Sequence, residues 1–267
     1  YILYGLGFNT KVGNLEYPKY FIEKKQCNRK MKDKVLLAYS NGVDSGASLL
    51  VLPNDKTIPI YLKRNFSQKS SIDNINSCNM SAAHKKKFIA DPLFVSYNQN
   101  ALRGINLIKD INTLPKPIVI DTDFELIRAN YSNKNIGYNH GSGYCSILLL
   151  FADFYEAGSI ALGAVLESKF LGCGNFFVDI ITKNQSPSYI NQKAFFNYIG
   201  MDLIYPVGGC SEVITCRIID NSVLKNVCSS CCVSNPNGVN CEKCFKCFRK
   251  LGLKNKLITR MPEIEFY

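Results

Sequence analysis

Short apolar runs alternate with longer stretches of mixed polarity through the middle of the chain. Three of these runs, residues 35–39, 57–63 and 117–121, have the length and composition of buried parallel strands. Two later runs, residues 160–165 and 201–207, are expected to add a fourth and a fifth strand. Strands that alternate with helices predict an α/β fold, in which helices flank a parallel sheet.

The helices are predicted from the spacing of apolar residues between those strands. Residues 44–51 follow the first strand, residues 144–157 have the clearest amphipathic pattern, and residues 191–200 also have helical spacing. A further helix is expected to begin after an N-cap at Ser211 and to run through Ile219.

Bulk composition indicates a globular protein with one main domain. The chain has 267 residues, of which 46% are hydrophobic and 20% charged. We expect an α/β domain over 35–222, preceded by an extension over 1–34 that is a lid or part of a further segment, and followed by a C-terminal region over 223–267.

The longest apolar stretch does not predict a membrane span. Residues 147–165 contain Asp153 and Glu156, so they are expected to form a helix and then a strand. No secretory signal pattern is seen. We therefore expect a cytoplasmic protein without membrane association.

The formal net charge of +11 is high for this length. Such a charge fits an anionic partner, which would be a nucleotide or a nucleic acid. A Lys-rich composition with few Arg residues and no basic stripe interleaved with aromatic residues also accounts for it, and we favour this explanation. The basic run at residues 84–87 is either a solvated helix face or a phosphate contact.

The most informative stretch lies directly after the first predicted strand. It consists of the turn-forming and helix-starting residues Ser40, Asn41, Gly42, Val43, Asp44 and Ser45. A strand, a loop of small residues and a helix N-terminus direct several backbone N–H groups to one place, where an anion such as phosphate binds. The alternative is an ordinary strand–helix turn with a capping Asp or Ser.

Other polar residues follow the carboxyl ends of predicted strands, where open parallel sheets bind their ligands. The candidates are Tyr61, Leu62, Lys63 and Arg64 at the second strand, Asp121 and Asp123 at the third, and Glu167, Ser168 and Lys169 after the fourth. The two aspartates are either ligands of magnesium or substrate, or caps of the next helix. His140 is either a cap or surface residue or a catalytic group.

The C-terminal region contains a cluster of cysteines. The chain has 12 cysteines, and five of them lie within residues 231–247, which is typical of metal binding rather than disulfides. Cys232, Cys241, Cys244 and Cys247 have the spacing of a tetrahedral structural zinc site. Cys228 and Cys231 are alternatives to Cys232, while an iron–sulfur cluster and a redox pair are alternatives to zinc.

These two motifs together resemble one known family. The loop is similar to the Ser-Gly-Gly-x-Asp-Ser loop of the PP-loop ATP pyrophosphatases, the adenine nucleotide alpha-hydrolase superfamily, with Asn41 in place of a glycine. Within that superfamily, the four cysteines and Arg249 behind them resemble the C-terminal set of the 7-cyano-7-deazaguanine synthases.

The resemblance implies a Rossmann-like (HUP) sheet and an ATP-dependent ligase. Residues 40–45 would hold the pyrophosphate of ATP, and Tyr61 and Leu62 would lie against its adenine. Asp44 would lie near Mg²⁺, with Ser45 beside it, and the charges of Lys63, Arg64 and Lys169 would complete the catalytic set. A small carboxylate, which is 7-carboxy-7-deazaguanine or a related deazapurine, would form an acyl-adenylate that an amine then attacks. A structural Zn²⁺ and a homo-oligomer are also expected.

Two other functions fit the same motifs. One is a tRNA sulfur transferase of the same superfamily, which the positive charge favours. The other is a diverged, defence-associated relative of the synthases that modifies or merely binds a nucleic acid or a protein. Asn41, in a position that glycine occupies in the family loop, is the residue that suggests divergence.

Overall fold

The computed structural model describes residues 32–64, 92–122, 142–167, 172–173, 176–177, 195–230 and 247. The strands are β1 (Lys34–Ala38), β2 (Thr57–Arg64), β3 (Ile118–Thr122), β4 (Ala157–Leu162), β5 (Gly172–Cys173), β6 (Phe176–Phe177) and β7 (Asp202–Ile204). The helices are α1 (Val43–Val51), α2 (Pro92–Lys109), α3 (Ser142–Phe151) and α4 (Glu212–Asp220).

Five strands form one sheet in the order β3-β2-β1-β4-β7, and all four pairings are parallel. The strands β5 and β6 form a separate antiparallel pair. A parallel sheet flanked by helices confirms the predicted α/β class.

The side chains of β1 alternate between two apolar cores, as the two-residue period of a strand requires. Val35 and Leu37 lie in a core with apolar residues of α1, α2 and α4. Leu36 lies in a second core, which contains Leu148 of α3 and Phe196. Both faces of the sheet are therefore covered, which explains why its strands are apolar along most of their length.

The boundary between α3 and β4 differs from the prediction. The helix ends at Phe151 rather than at residue 157, and the strand begins at Ala157 rather than at residue 160. Glu156 adopts a positive φ of 56°, and the Ala157 N–H donates to the Ala152 carbonyl across this turn at 2.8 Å. The chain therefore reverses inside an apolar run that we assigned to the end of the helix.

For the other elements, the predicted bounds are closer to the observed ones, or no element was predicted. The strands β1, β2 and β3 begin and end within one residue of their predicted bounds, whereas β7 is shorter than predicted. No element was predicted for α2, although Ala101, Ile105 and Ile108 give it a buried apolar face.

The described part of the C-terminal region lies against the α/β core. Leu224 and Val227 belong to the same apolar core as α1 and α4. The cysteines Cys232, Cys241 and Cys244, and most of the 1–34 extension, lie outside the described residues. Within the described ranges, no helix is long and apolar enough to cross a membrane.

Candidate functional site

The β1–α1 loop lies at the centre of the sheet. On one side of β1 the order continues to β2 and β3, and on the other side to β4 and β7. The strand order thus reverses at β1, and the loop leaves its carboxyl end at this switch point. In open parallel sheets, ligands bind in the crevice that such a reversal creates.

The backbone of the loop has the conformation expected from its residue types. Asn41 adopts a φ of 59°, a left-handed conformation that Asn tolerates better than most residues. Gly42 is the extended N-cap of α1, and Asp44 lies in the first turn of the helix. The expectation that Asn41 adopts a positive φ is confirmed.

Serine hydroxyls accept hydrogen bonds from two of the loop amides. The Gly42 N–H donates to Ser40 Oγ at 3.3 Å, and the Ser40 N–H donates to Ser45 Oγ at 3.2 Å. Ser45 Oγ donates its own proton to the Gly42 carbonyl, so Ser40 is the donor between the two hydroxyls, which are 3.1 Å apart. The loop is therefore held in a compact form by its own side chains.

The first amide of α1 has a partner from a distant part of the chain. Gly42 has no side chain that could cap the helix, and the Val43 N–H donates to Ser230 Oγ at 3.1 Å. Ser230 precedes the cysteine cluster directly. The C-terminal segment thus contacts the loop through a neutral hydroxyl oxygen, which accepts a hydrogen bond as the oxygen of an anion would.

The carboxylate of Asp44 is oriented by α4. Thr215 Oγ1 donates to Asp44 Oδ1 at 2.8 Å, and it also lies 3.2 Å from the Glu212 carbonyl. A carboxylate in the first turn of a helix is stabilised by the positive end of the helix dipole. Asp44 is therefore fixed beside the loop amides.

The end of β4 approaches the loop closely. A Cβ built on Gly163, which follows β4, would lie 2.8 Å from the Ser45 backbone nitrogen and 2.9 Å from Ser45 Cα. Only glycine leaves room for this approach, because the neighbouring atoms belong to the backbone of α1 and cannot turn away. Residue 163 therefore limits where the start of α1 can lie.

The side chain of Asn41 is a buried link between several elements. It is 2% exposed, and its Oδ1 accepts a hydrogen bond from Tyr39 Oη at 2.9 Å. Its Nδ2 donates to the Val227 carbonyl at 3.1 Å and lies 3.5 Å from the Asn100 carbonyl of α2. The side chain therefore joins the loop to two other parts of the molecule.

The side-chain amide of Asn100 is unusual in its surroundings. It is 8% exposed, and neither Oδ1 nor Nδ2 has a hydrogen-bond partner within the described part of the chain. Buried amides are nearly always paired, with protein, water or a ligand. Asn100 is thus a polar group near the loop that we missed in the sequence.

The residues predicted at the second and third strand ends are arranged in two ways. Tyr61 and Leu62 are buried in the two opposite cores, so their side chains contact protein. Lys63 Nζ lies 2.9 Å from Asp121 Oδ1, its partner in register across β2 and β3. These two predicted site residues therefore neutralise one another in part.

The residues predicted after the fourth strand are only partly described. Glu167 accepts hydrogen bonds from the Glu212 N–H at 3.0 and 3.2 Å, and it therefore caps α4. The remaining candidates, Asp123, His140, Ser168 and Lys169, lie outside the described residues, as does the side chain of Arg64.

Two of the candidate metal ligands are described, Cys247 and the alternative ligand Cys228. Cys247 is helical and its thiol is buried. The Sγ atom of Cys228 lies 3.7 Å from Tyr39 Oη. No group of three or more His, Cys, Asp or Glu side chains that could hold a metal ion is found among the described residues.

The contacts from Ser230 and Thr215 to the loop had no local signal in the sequence. Ser230 is 187 residues from Val43, and Thr215 is 171 residues from Asp44. Such pairs are set by how α4 and the segment after it pack on α1. Serine and threonine are too common for their type alone to indicate the contact.

A comparison with protein families gives one match. Residues 191–265 match a family of unknown function, DUF6395. The match includes α4, Ser230 and the cysteine cluster, and it leaves out the β1–α1 loop. No curated protein matches the chain.

We expect Gly163→Ala to lower the free energy of unfolding by about 1–3 kcal/mol, because the added methyl group must displace the backbone at Ser45. Gly209→Ala is the matched control, since a Cβ at Gly209 meets nothing within 4 Å, and it should stay within about 0.5 kcal/mol of wild type. Urea unfolding measures both variants, and equal midpoints for the two would contradict the close approach.

The second prediction concerns pH. Burial, and then the nearby Cys228, raise the pKa of Tyr39 well above its usual value. The unfolded protein therefore loses the phenolic proton first, at a pH of about 10. The stabilisation from neutral Tyr39 is full below that pH and is lost as the pH rises toward the folded-state pKa.

Tyr39→Phe should therefore be less stable than wild type by about 1 kcal/mol near neutral pH, because the hydrogen bond to Asn41 is lost. The stability gap between the two proteins should narrow above a pH of about 10. Urea midpoints of both proteins from neutral to alkaline pH measure it. A gap that stays constant would show that Tyr39 titrates normally.

Proposed function

We propose that the protein binds ATP at the β1–α1 loop and is an adenylating ligase of the 7-cyano-7-deazaguanine synthase type. The observation that carries the proposal is the position of the loop. A left-handed residue and the start of α1 lie at the carboxyl end of β1, where the strand order reverses. The resemblance of the loop to that of the PP-loop ATP pyrophosphatases then selects ATP among possible anions.

The sheet order supports a Rossmann-like (HUP) fold. Numbering the five paired strands in chain order gives 3-2-1-4-5, which is the order of the doubly wound nucleotide-binding sheets as far as it extends. In that arrangement the first loop meets the phosphates of the nucleotide. The residues that we assign to this contact are Ser40, Asn41, Gly42, Val43, Asp44 and Ser45.

The proposed reaction needs positioning and charge neutralisation more than a dedicated base. A substrate carboxylate oxygen attacks the α-phosphorus of ATP, and the bond to the bridging oxygen of pyrophosphate breaks. An amine then attacks the carbonyl carbon of the acyl-adenylate, and AMP leaves. The positive end of the α1 dipole, at the start of the helix, stabilises the charge on the departing pyrophosphate.

Asp44 fits a magnesium–nucleotide complex better than a free nucleotide. Its carboxylate is held beside the loop by Thr215, where it would repel phosphate unless a cation lay between them. Magnesium is usually held by one or two carboxylates together with substrate phosphates, so Asp44 meets this requirement. When bound, the ion would offset the negative charge of the phosphates.

Positive side chains at the strand ends would complete the site. Lys63 is held by Asp121 at the end of β2, and a nucleotide could compete with that surface pair at little cost. Arg64 follows Lys63 in the same strand. Together with Lys169 they are proposed to contact the phosphates or the substrate carboxylate.

A structural zinc held by Cys232, Cys241, Cys244 and Cys247 is part of the same proposal. The described ligand, Cys247, is buried, as expected of a closed four-thiolate site rather than of an open catalytic one. Such a site would stabilise the region that follows Ser230.

ATP with Mg²⁺ should yield AMP and pyrophosphate only when 7-carboxy-7-deazaguanine and ammonium are both supplied. Asp44→Ala should lower this turnover about a hundredfold or more, because the phosphates lose their metal-binding carboxylate. Asp55→Ala is the control, since the exposed Asp55 lies before β2 at the opposite end of the sheet and should leave turnover unchanged.

Three results would change the proposal. AMP formed without the deazapurine would indicate an adenylating enzyme with another acceptor. AMP formed only with tRNA and a sulfur donor would favour the sulfur transferase. No AMP with any of these acceptors, or normal turnover by Asp44→Ala, would overturn the assignment of the loop to catalysis.

The purified protein should contain one zinc per chain, measured by mass spectrometry of the metal. Cys244→Ser should lose the metal, since three thiolates hold zinc more weakly than four. Cys210→Ser, which changes a half-buried cysteine outside the set, should keep it. Iron with a brown colour would indicate a cluster instead, and full zinc in Cys244→Ser would exclude Cys244 as a ligand.

A further inference from the structure

Asn41 makes more contacts than a left-handed turn requires. A glycine would supply the φ of 59° without strain, whereas the asparagine side chain adds a buried polar group that must be satisfied. Tyr39 Oη donates to its oxygen, and its nitrogen donates to the Val227 carbonyl. Both ends of the amide are therefore paired inside the protein.

The helix α2 is shaped to receive this side chain. A Cβ built on Gly104 would overlap the Asn41 side-chain amide at all three of its heavy atoms. Asn100, one turn earlier in α2, offers its carbonyl at 3.5 Å. Gly104 thus leaves a notch in α2 that the Asn41 amide fills.

The C-terminal segment meets Asn41 on its backbone as well as on its side chain. The Ser229 N–H donates to the Asn41 carbonyl at 3.0 Å, while the Val227 carbonyl accepts from the side chain. The next residue, Ser230, accepts the Val43 N–H. Residues 227–230 therefore form a strap across the loop, and Asn41 is bound to the strap on both sides.

We propose that Asn41 is a positioning residue, whose side chain holds the β1–α1 loop and the start of α1 in the conformation that receives the phosphates of ATP. This inference rests on the proposed function and adds to it a positioning role for the buried Asn41 side chain, which is paired with protein groups and touches no substrate. It also makes nucleotide affinity depend on the strap that leads into the cysteine cluster. On this proposal Asn41 makes the loop more ordered, and its presence does not indicate that the loop has lost its function.

The physical reason is the cost of ordering. A loop with glycine at this position keeps its left-handed turn but loses the anchors to α2 and to the strap. Binding must then order the loop, and the entropy of that ordering is subtracted from the affinity. With Asn41 the loop is ordered when the protein folds, so ATP binding does not have to order it.

The test compares Asn41→Gly with a variant that is destabilised elsewhere. Ile160→Val removes one methyl group from the core on the other face of the sheet, so it lowers stability without touching the loop. Mg–ATP affinity is measured by titration calorimetry under conditions where all proteins are folded. We expect affinity to fall roughly tenfold in Asn41→Gly and to stay unchanged in Ile160→Val.

Asn41→Asp is a second variant in case the glycine form does not fold. It keeps the tolerance of positive φ and the acceptor for Tyr39, but it loses the donor to the Val227 carbonyl. Its affinity should also fall. Wild-type affinity in both Asn41 variants would reduce Asn41 to a structural residue and overturn the proposal.

A mutant cycle with Gly104 tests the geometry without any ligand. Gly104→Ala should be strongly destabilising in wild type, because the new methyl group overlaps the Asn41 amide, and much less so in Asn41→Gly, where the amide is absent. Urea unfolding measures all four proteins. Additive effects would show that the two residues do not meet as described.

The two proposals fail in different ways. If wild type does not bind Mg–ATP, the proposed function fails, and hydrogen exchange of the amides at residues 40–45 decides whether Asn41 orders the loop. Exchange that is faster in Asn41→Gly than in Ile160→Val would support positioning. Equal exchange rates in these two variants would overturn it.

Discussion

β1 is hydrogen-bonded on both edges, to β2 and to β4, and this double pairing decides where the candidate site lies. A strand that is paired on both sides cannot shift in register without breaking two ladders. The position of its carboxyl end is therefore fixed, and the chain leaves the sheet there to enter α1. Because the connections on either side of β1 run in opposite directions, the crevice above it stays open.

The start of α1 is fixed in turn by close approaches from two neighbours. Gly163 lets the end of β4 come against the backbone of Ser45. At the next residue of α1, a Cβ on Gly46 would overlap Cys228 and lie 3.1 Å from Ile219 Cδ1 of α4. Small residues at both contacts place the positive end of α1 within a rigid setting. Preorganised dipoles of this kind stabilise charge without having to reorient when it appears.

Local signals in the sequence were enough for β1, α1 and β2, because an apolar run, turn-forming residues and a helix start agree there. They failed at the end of α3, where apolar residues lie on both sides of the turn that the left-handed Glu156 makes. The positive φ of Asn41 was predictable from residue type, since few residues tolerate that conformation. Its buried contacts were not, because Val227 and Gly104 approach it only through tertiary packing.

This difference explains why the sequence and the structure lead to opposite interpretations of Asn41. In the sequence, Asn41 is a departure from the glycine of the PP-loop pattern that the loop resembles, and taken alone it suggests a loop that has lost its role. In the structure, its side chain fills a notch that only glycine at position 104 could leave, and it binds a strap that only the C-terminal segment could supply. Two distant parts of the chain are thus adapted to one side chain. A loop that is matched on both sides has a defined shape before any ligand arrives, and such preorganisation is what the proposed binding of phosphates requires.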